Sequence, residues 1–210
     1  MKVKSFTFSP FQENTYVLSD DTLDCIIVDP GCYNSSEENE LVEYLNLNQL
    51  KPVRLINTHA HIDHVFGNQF VSEKFNLKLE LHLLDEPILA MAGRSAMTYG
   101  LNYKPSPKAE INFEEGDEIV FGNTKLEILH VPGHSPGHVV FYDRPGKVII
   151  GGDVLFRGSI GRTDLPGGNH DDLIRNIKEK LFTLENDISV YSGHGPETTI
   201  GYEKQNNPFF

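Results

Sequence analysis

Three histidines and an aspartate fall within six consecutive positions, His59-Ala60-His61-Ile62-Asp63-His64, directly after the apolar run from Val53 to Asn57. No other feature limits the folding of this chain as much. The apolar run reads as a buried strand, and the histidines open the loop that follows it. Alternate side chains of extended backbone share a face, so His59 and His61 point the same way. Asp63 and His64 come where the chain turns and address a second point nearby. Neutral imidazole is the commonest metal-binding side chain, and a carboxylate adds the negative charge that a dication needs. The bland alternative is a polar surface loop that happens to be rich in histidine.

Four donors do not complete two metal sites, and the remainder of the chain offers more of them in the same setting. His134 lies in Val131-Pro132-Gly133-His134-Ser135-Pro136-Gly137-His138, after an apolar strand ending at His130. Asp153 closes Ile149-Ile150-Gly151-Gly152-Asp153, and His194 sits in Tyr191-Ser192-Gly193-His194-Gly195-Pro196. A glycine beside each lets backbone approach a crowded site closely. Loops at strand ends that converge on one edge of a sandwich form a pocket. One such histidine would be a weak signal, whereas four strand-end clusters in one chain make a strong one.

The elements around these clusters are legible from pattern. Strands are expected at Val3 to Phe8, Thr15 to Leu18, Cys25 to Val28, Val53 to Asn57 and Leu77 to Leu83. Asp29-Pro30-Gly31 is a turn, and Ser35-Ser36-Glu37-Glu38 opens a helix that runs to about Leu50, stopped by Pro52. Further helices are expected from Asn68 to Phe75 and Asp85 to Thr98. A second strand-rich stretch follows: Glu118 to Phe121, Lys125 to His130, Val139 to Tyr142, Lys147 to Ile150 and Ser189 to Tyr191, with a helix from Asp171 to Phe182. Helices are too few for strict βαβ alternation, which suits two sheets packed together with helices outside. No repeat or linker divides the chain, so residues 1–210 read as a single domain.

Composition narrows the functions. A formal charge of −12 over 210 residues repels phosphate backbones, so nucleic acid is not an expected partner. No apolar run approaches the ~20 residues that cross a bilayer, and Ser9-Pro10 and Gln12-Glu13-Asn14 interrupt any leader-like start. A soluble, cytoplasmic protein without a membrane partner is expected. The two cysteines, Cys25 and Cys32, make no disulfide framework and read as reduced thiols.

The ordered set His59-Ala60-His61-Ile62-Asp63-His64, His134, Asp153 and His194 resembles the signature of the metallo-β-lactamase superfamily, over most of the chain from about Val17 to His194. The resemblance implies an α/β fold, an αββα sandwich, with one metal held by His59, His61 and His134. The other would be held by Asp63, His64 and His194, with Asp153 bridging both. The cofactors implied are two divalent transition-metal ions, zinc first, with iron or manganese as alternatives. Within the superfamily the chain is most similar to glyoxalase II (hydroxyacylglutathione hydrolase) and its short bacterial relatives. That similarity is carried by Pro132 to His138, Gly152-Asp153-Val154-Leu155-Phe156, Gly158-Ser159-Ile160-Gly161-Arg162-Thr163-Asp164, Gly193-His194-Gly195-Pro196 and Asn207-Pro208-Phe209. Asp153 separates it from the true β-lactamases that place cysteine at the second metal, and His61 from the flavodiiron branch, which has glutamate there.

The function so implied is hydrolysis of a small-molecule thioester, S-lactoylglutathione or a related acyl-thiol, by a hydroxide held on the two metals. Asp63 and Asp153 are the catalytic carboxylates: Asp153 sets the metal separation and Asp63 also orients the hydroxide. The helical domain that supplies much of the glutathione contact in full-length glyoxalase II is not expected in the residues after His194, so the chemistry carries over and the identity of the thiol does not. The alternative on the same fold is a mononuclear-iron persulfide dioxygenase, which shares a similar Gly-Arg-Thr-Asp loop. A metal-stabilised binding module would need a site closed to solvent, against the glycine-flanked loops. Among lesser candidates, His138 is poised between lining the pocket and starting a strand. His170 reads as a capping or surface residue, His82 and His130 as core-edge histidines. Arg162 and Asp164 read as a loop salt bridge ahead of substrate contacts. Tyr99 and Tyr103 either cover the site or fill space between helices.

Overall fold

The computed structural model describes residues 1–210. The chain divides into two compact units, residues 1–113 with 120–124, and residues 114–119 with 125–210. No helix is long and apolar enough to cross a membrane.

The first unit is built on strands β1 (Lys2–Phe8), β2 (Glu13–Ser19) and β3 (Asp24–Val28), helix α1 (Ser35–Leu47), β4 (Lys51–Ile56), α2 (Asn68–Phe75), β5 (Leu79–His82), α3 (Glu86–Tyr99) and β6 (Ala109–Phe113). Its strands form one sheet in sequence order, β1-β2-β3-β4-β5-β6. The first three are antiparallel, whereas β3, β4, β5 and β6 run parallel. The parallel part follows from the long crossovers, since α1 and α2 return the chain to the same end of the sheet. Asn34 starts α1 by accepting from Ser36 and Glu37 N–H, one residue ahead of the expected helix start. Leu41 and Leu45 of α1 and Val71 of α2 are buried against Ile27, Leu55 and Leu79 of the sheet. Each such side chain contributes about 1.5–3 kcal/mol of burial free energy. α3 buries Ile88, Ala92 and Ala96 in a second cluster with Ile62, Val65 and Phe66.

The register of the parallel strands decides where the chemistry goes. Val28 pairs with Ile56, so Asp29 and Asn57 leave the sheet side by side at its carboxyl edge. β5 ends at the same edge and delivers Asp85 there through a turn of 3₁₀ helix, Leu83–Asp85. Ligand sites form outside the carboxyl ends of parallel strands in open sheets.

The second sheet contains β7 (Glu118–Phe121), β8 (Thr124–His130), β9 (Val139–Asp143), β10 (Val148–Gly152), β13 (Ser189–Ser192) and β14 (Thr198–Thr199), in the order β14-β13-β10-β9-β8-β7. Between β10 and β13 lie a two-stranded hairpin, β11 (Leu155–Phe156) and β12 (Ser159–Ile160), and helix α4 (His170–Asn176), while α5 (Ile200–Asn206) closes the chain. β10 and β13 are parallel with Gly152 opposite Ser192, so Asp153 and His194 emerge at one edge. The β8–β9 loop containing His134 reaches that edge because β9 is antiparallel to β10. Leu173 of α4, Ile177, Leu181 and Ile200 of α5 bury against Val140, Ile149 and Val190.

The architecture is mixed α/β with sheets flanked by helices, the expected class. The helix expected from Asp171 to Phe182 is α-helical only to Asn176 and then widens into a π-helical turn, Ile177–Leu181, which keeps Ile177 and Leu181 in the core. β6, β14, the small hairpin and α5 are additional to the sequence reading.

Candidate metal centre

In the first unit the donors are assembled around Asp29. This aspartate is buried and adopts a left-handed backbone, φ 49°, which Asp tolerates better than most residues. Its carboxylate accepts from Thr58 N–H at 2.7 Å, Thr58 Oγ1 at 2.6 Å, Asn57 Nδ2 at 3.2 Å and His64 Nδ1 at 3.1 Å. The Thr58 hydroxyl spends its proton on Asp29, so it accepts from His59 Nδ1, 3.0 Å away. The network thereby assigns the Nδ1–H tautomer to His59 and to His64 and leaves each Nε2 with its lone pair. The rings of His59 and His64 lie 4.1 Å apart, and those of His59 and His61 4.9 Å apart and nearly perpendicular. Asp63 Oδ2 lies 4.0 Å from His64 Nε2. Asp29, His59 and His64 each present a ligand atom within 4.8 Å of the others. Asp85, also buried, accepts from Ala60 N–H at 2.7 Å and pins the loop between His59 and His61. Glu13 is fully buried 3.8 Å from His64 Nδ1, and burial pushes its carboxyl well above the usual carboxylate range.

In the second unit Asp153 lies between two histidines. Its Oδ2 is 3.5 Å from His134 Nε2 and 3.6 Å from His194 Nε2. These are long for hydrogen bonds and suit groups that share a cation. His134 Nδ1 donates to the carbonyl of Arg162 at 2.7 Å, which again places the proton on Nδ1 and the lone pair on Nε2. His138 Nε2 accepts from Asp153 N–H at 2.9 Å. The imidazole poised between two readings thus holds the backbone of Asp153. The donor set in both units, neutral imidazoles with Nδ1 anchored and carboxylates beside them, fits transition-metal dications.

Gly133 accounts for the placement of the His134 loop. Its φ of 136° disfavours any side chain, and a Cβ there would stand 2.4 Å from Leu173 N. The glycine lets the first turn of α4 close on the loop, where Asn169 N–H donates to Gly133 O at 2.7 Å. Gly133→Ala combines left-side backbone strain with a backbone clash, and a stability loss of roughly 2–5 kcal/mol is expected in chemical denaturation.

Arg162 and Asp164 form an exposed two-pronged ion pair, both contacts 2.7 Å, which holds the Asp164 carboxyl down at about 2. The contribution of Arg162 to the centre is its carbonyl. His82 caps the turn after β5 by accepting from Leu84 N–H, and His130 Nε2 donates to Pro136 O at 2.8 Å. His170 is the first residue of α4, capped by Asn169. Tyr99 packs edge-on to Phe11 at 5.3 Å, and Tyr103 lies 6.3 Å from Phe66 with its hydroxyl accepting from Ser106 N–H. Both cysteines are free and buried.

Sequence reading took Asp29 for a turn residue and did not single out Thr58, Asp85 or Glu13. The available signal was a charged residue ending an apolar strand, the same signal that marks Asp153.

A family model described as "Metallo-beta-lactamase superfamily" matches residues 8–194. The chain belongs to that superfamily. Among its superfamily relatives, the "Probable metallo-hydrolase YqgX" of Bacillus subtilis is 41% identical over 100% of this chain and 97% of that protein. The "Hydroxyacylglutathione hydrolase GloC" of Haemophilus influenzae is 35% identical over 100% and 98%. Among solved structures, TTHA1623, described in a di-iron-bound form, is 39% identical with a TM-score of 0.90 over 99% of this chain and 100% of that one. The BLEG-1 B3 metallo-β-lactamase is 36% identical with a TM-score of 0.91 over 99% of each chain. The superfamily fold and a metallo-hydrolase class of enzyme are thus established for the chain.

Proposed function

We propose that this enzyme is a binuclear metal-dependent thioesterase acting on S-lactoylglutathione or a related small acyl-thiol. In this reading His59 and His61 hold one ion together with His134, and Asp63 and His64 hold the other together with His194. Asp153 serves both. The observation that carries the reading is the Asp153 carboxylate set between two imidazole nitrogens at 3.5 and 3.6 Å. Whole-length identity of 35% to a hydroxyacylglutathione hydrolase supports the substrate class.

Two dications held there, zinc first with iron or manganese as alternatives, would supply Lewis acidity and lower the pKa of water from about 15.7 towards about 7. The chain's own groups do the positioning. Asp29 and the Arg162 carbonyl hold His64 and His134 in their tautomers, Asp153 sets the metal separation, and Asp63 orients the attacking oxygen by accepting its hydrogen bond. A thiolate departs without help, so no protein nucleophile is needed. Burial pushes both thiols up, Cys25 to about 12, which removes them as nucleophiles. Reduced buried cysteines suit the cytoplasm, which we assign as its compartment, with neither nucleic acid nor membrane as partner.

The test is to reconstitute the protein separately with zinc and with iron and follow loss of thioester absorbance on S-D-lactoylglutathione. A kcat/KM above about 10⁴ M⁻¹s⁻¹ is expected. The 36% identity to a B3 metallo-β-lactamase makes a β-lactam the second substrate class, assayed in parallel with a chromogenic cephalosporin. Turnover of the cephalosporin with an inert thioester would replace the thioesterase reading. Oxygen uptake on glutathione persulfide, with the thioester untouched, would replace it by the dioxygenase.

A further inference from the structure

The stretch Asn207-Pro208-Phe209 has no part in metal ligation, yet Asn207 is buried. Its Nδ2 donates to Ser159 O at 2.9 Å and to Glu203 Oε2 at 2.8 Å. Glu203, on α5, is fully buried, and its carboxylate also accepts from Gly158 N–H at 3.0 Å and from Thr198 Oγ1. Gly158 and Ser159 are the turn and return strand of the β11–β12 hairpin, in which Leu155 pairs with Ile160 and Phe156 with Ser159. The far side of that hairpin is tied to β13 by Ser192 Oγ, which donates to Leu155 O at 2.7 Å.

One short segment, Asp153 to Arg162, therefore makes three contacts with the metal-binding histidines. It carries Asp153 between His134 and His194. It sets the Phe156 ring edge-on to His194, centroids 6.2 Å apart. Its exit offers the Arg162 carbonyl to His134 Nδ1. Groups that served only to fasten α5 would bond to α5 or to its neighbouring strand. Glu203 and Asn207 bond to each other and Glu203 to Thr198, and in addition each spends a hydrogen bond on the hairpin's backbone.

We propose that Glu203 and Asn207 are positioning residues for the metal centre, acting through the Asp153–Arg162 hairpin. The proposal rests on Asp153, His134 and His194 being ligands, as the proposed function has them, but not on the substrate. Removing either side chain frees the hairpin turn, and the bridging carboxylate, the Phe156 wall and the His134 anchor loosen together. Groups that orient ligands typically contribute about 10–100-fold in metal affinity.

The experiment measures metal content after dialysis and the rate of metal release to a chelator, with kcat and KM on whichever substrate is active. The proteins are wild type, Glu203→Ala, Asn207→Ala and Glu203→Gln, with Leu41→Ala as a control destabilised in the first unit's core. Glu203→Ala and Asn207→Ala are expected to release metal at least about tenfold faster than wild type, and faster than Leu41→Ala at matched loss of Tm. Glu203→Gln is expected to stay near wild type, because an amide oxygen can face Gly158 and Asn207 while its NH₂ donates to Thr198 Oγ1. Wild-type release from both alanine variants, or equal acceleration in Leu41→Ala, would overturn the proposal. If Glu203→Ala does not fold, Asn207→Ala alone decides it. A wild-type protein that holds metal but cleaves no thioester would sink the substrate reading and leave this one intact. A wild-type protein that holds no metal would remove both.

Discussion

Replacing Asp153 by alanine is expected to lower thioester turnover by more than about 100-fold and to reduce bound metal from two ions to one or none. The expectation comes from charge and geometry together. Asp153 is the carboxylate that faces both His134 and His194, at nearly equal distances. On the binuclear reading proposed above, each ion would lose a ligand and the negative charge that Asp153 would supply to both. The fold itself should survive. The backbone N–H of Asp153 is held by His138 Nε2 whatever the side chain, and the residue adds nothing to the apolar core. The metal-free Tm of the variant should therefore match that of wild type, and the difference should appear only on adding metal. A ligand at a hundred times its Kd stabilises by about 2.7 kcal/mol, and that increment is what the variant forfeits. Asp153→Asn keeps the shape and one accepting oxygen and belongs between the two. An alanine variant that retains two ions and full turnover would remove Asp153 from the centre.

The candidate donors of this centre stand out in the sequence because their clusters sit where apolar strands stop. His59, His134, Asp153 and His194 break hydrophobic runs, and a polar donor at such a break has few other uses. The strands were legible for the same reason, since Cys25 to Val28, Val139 to Tyr142 and Lys147 to Ile150 are short apolar runs between turn signals. The second layer was hidden because its partners are distant in sequence and meet only through strand register. Asp29 reaches Thr58 because Val28 pairs with Ile56, and no local pattern announces that pairing. Arg162 shows a different blindness. Its guanidinium drew attention as a charge, but the centre uses its carbonyl, and backbone groups carry no sequence signature. Helix α5 was missed because Ile200–Asn206 is two turns long and contains Gly201, too short for a 3.6-residue period to register. With it went the view of Asn207 as anything more than part of a family ending.

Asp29→Ala is expected to do the greatest damage to stability and to metal binding at once. Four donors converge on this carboxylate, and its immediate surroundings are buried, with Asp29 1% exposed and Asn57, Thr58 and His64 fully buried. Alanine leaves those donors without their acceptor in a dry place. An orphaned buried polar group costs about 1–3 kcal/mol, so a total loss of about 3 kcal/mol or more follows even if water enters to satisfy some of them. For a chain of this size that corresponds to a fall in Tm of roughly 6–12 °C. The second consequence is chemical. Asp29 fixes the proton of His64 on Nδ1 directly and that of His59 through Thr58. Freed from it, both rings can turn or change tautomer, and metal affinity should fall by about 10–100-fold. Asp29→Asn separates the two effects. Its amide oxygen can still accept from Thr58 N–H, which preserves much of the fold. Its neutral amide polarises His64 less and can point a donor at a donor. The Asn variant should therefore melt closer to wild type than the Ala variant does, yet still bind metal more weakly, measured by competition with a chelator. Wild-type affinity in Asp29→Asn would mean that this aspartate holds the sheet edge together and leaves the tuning of the histidines to other groups.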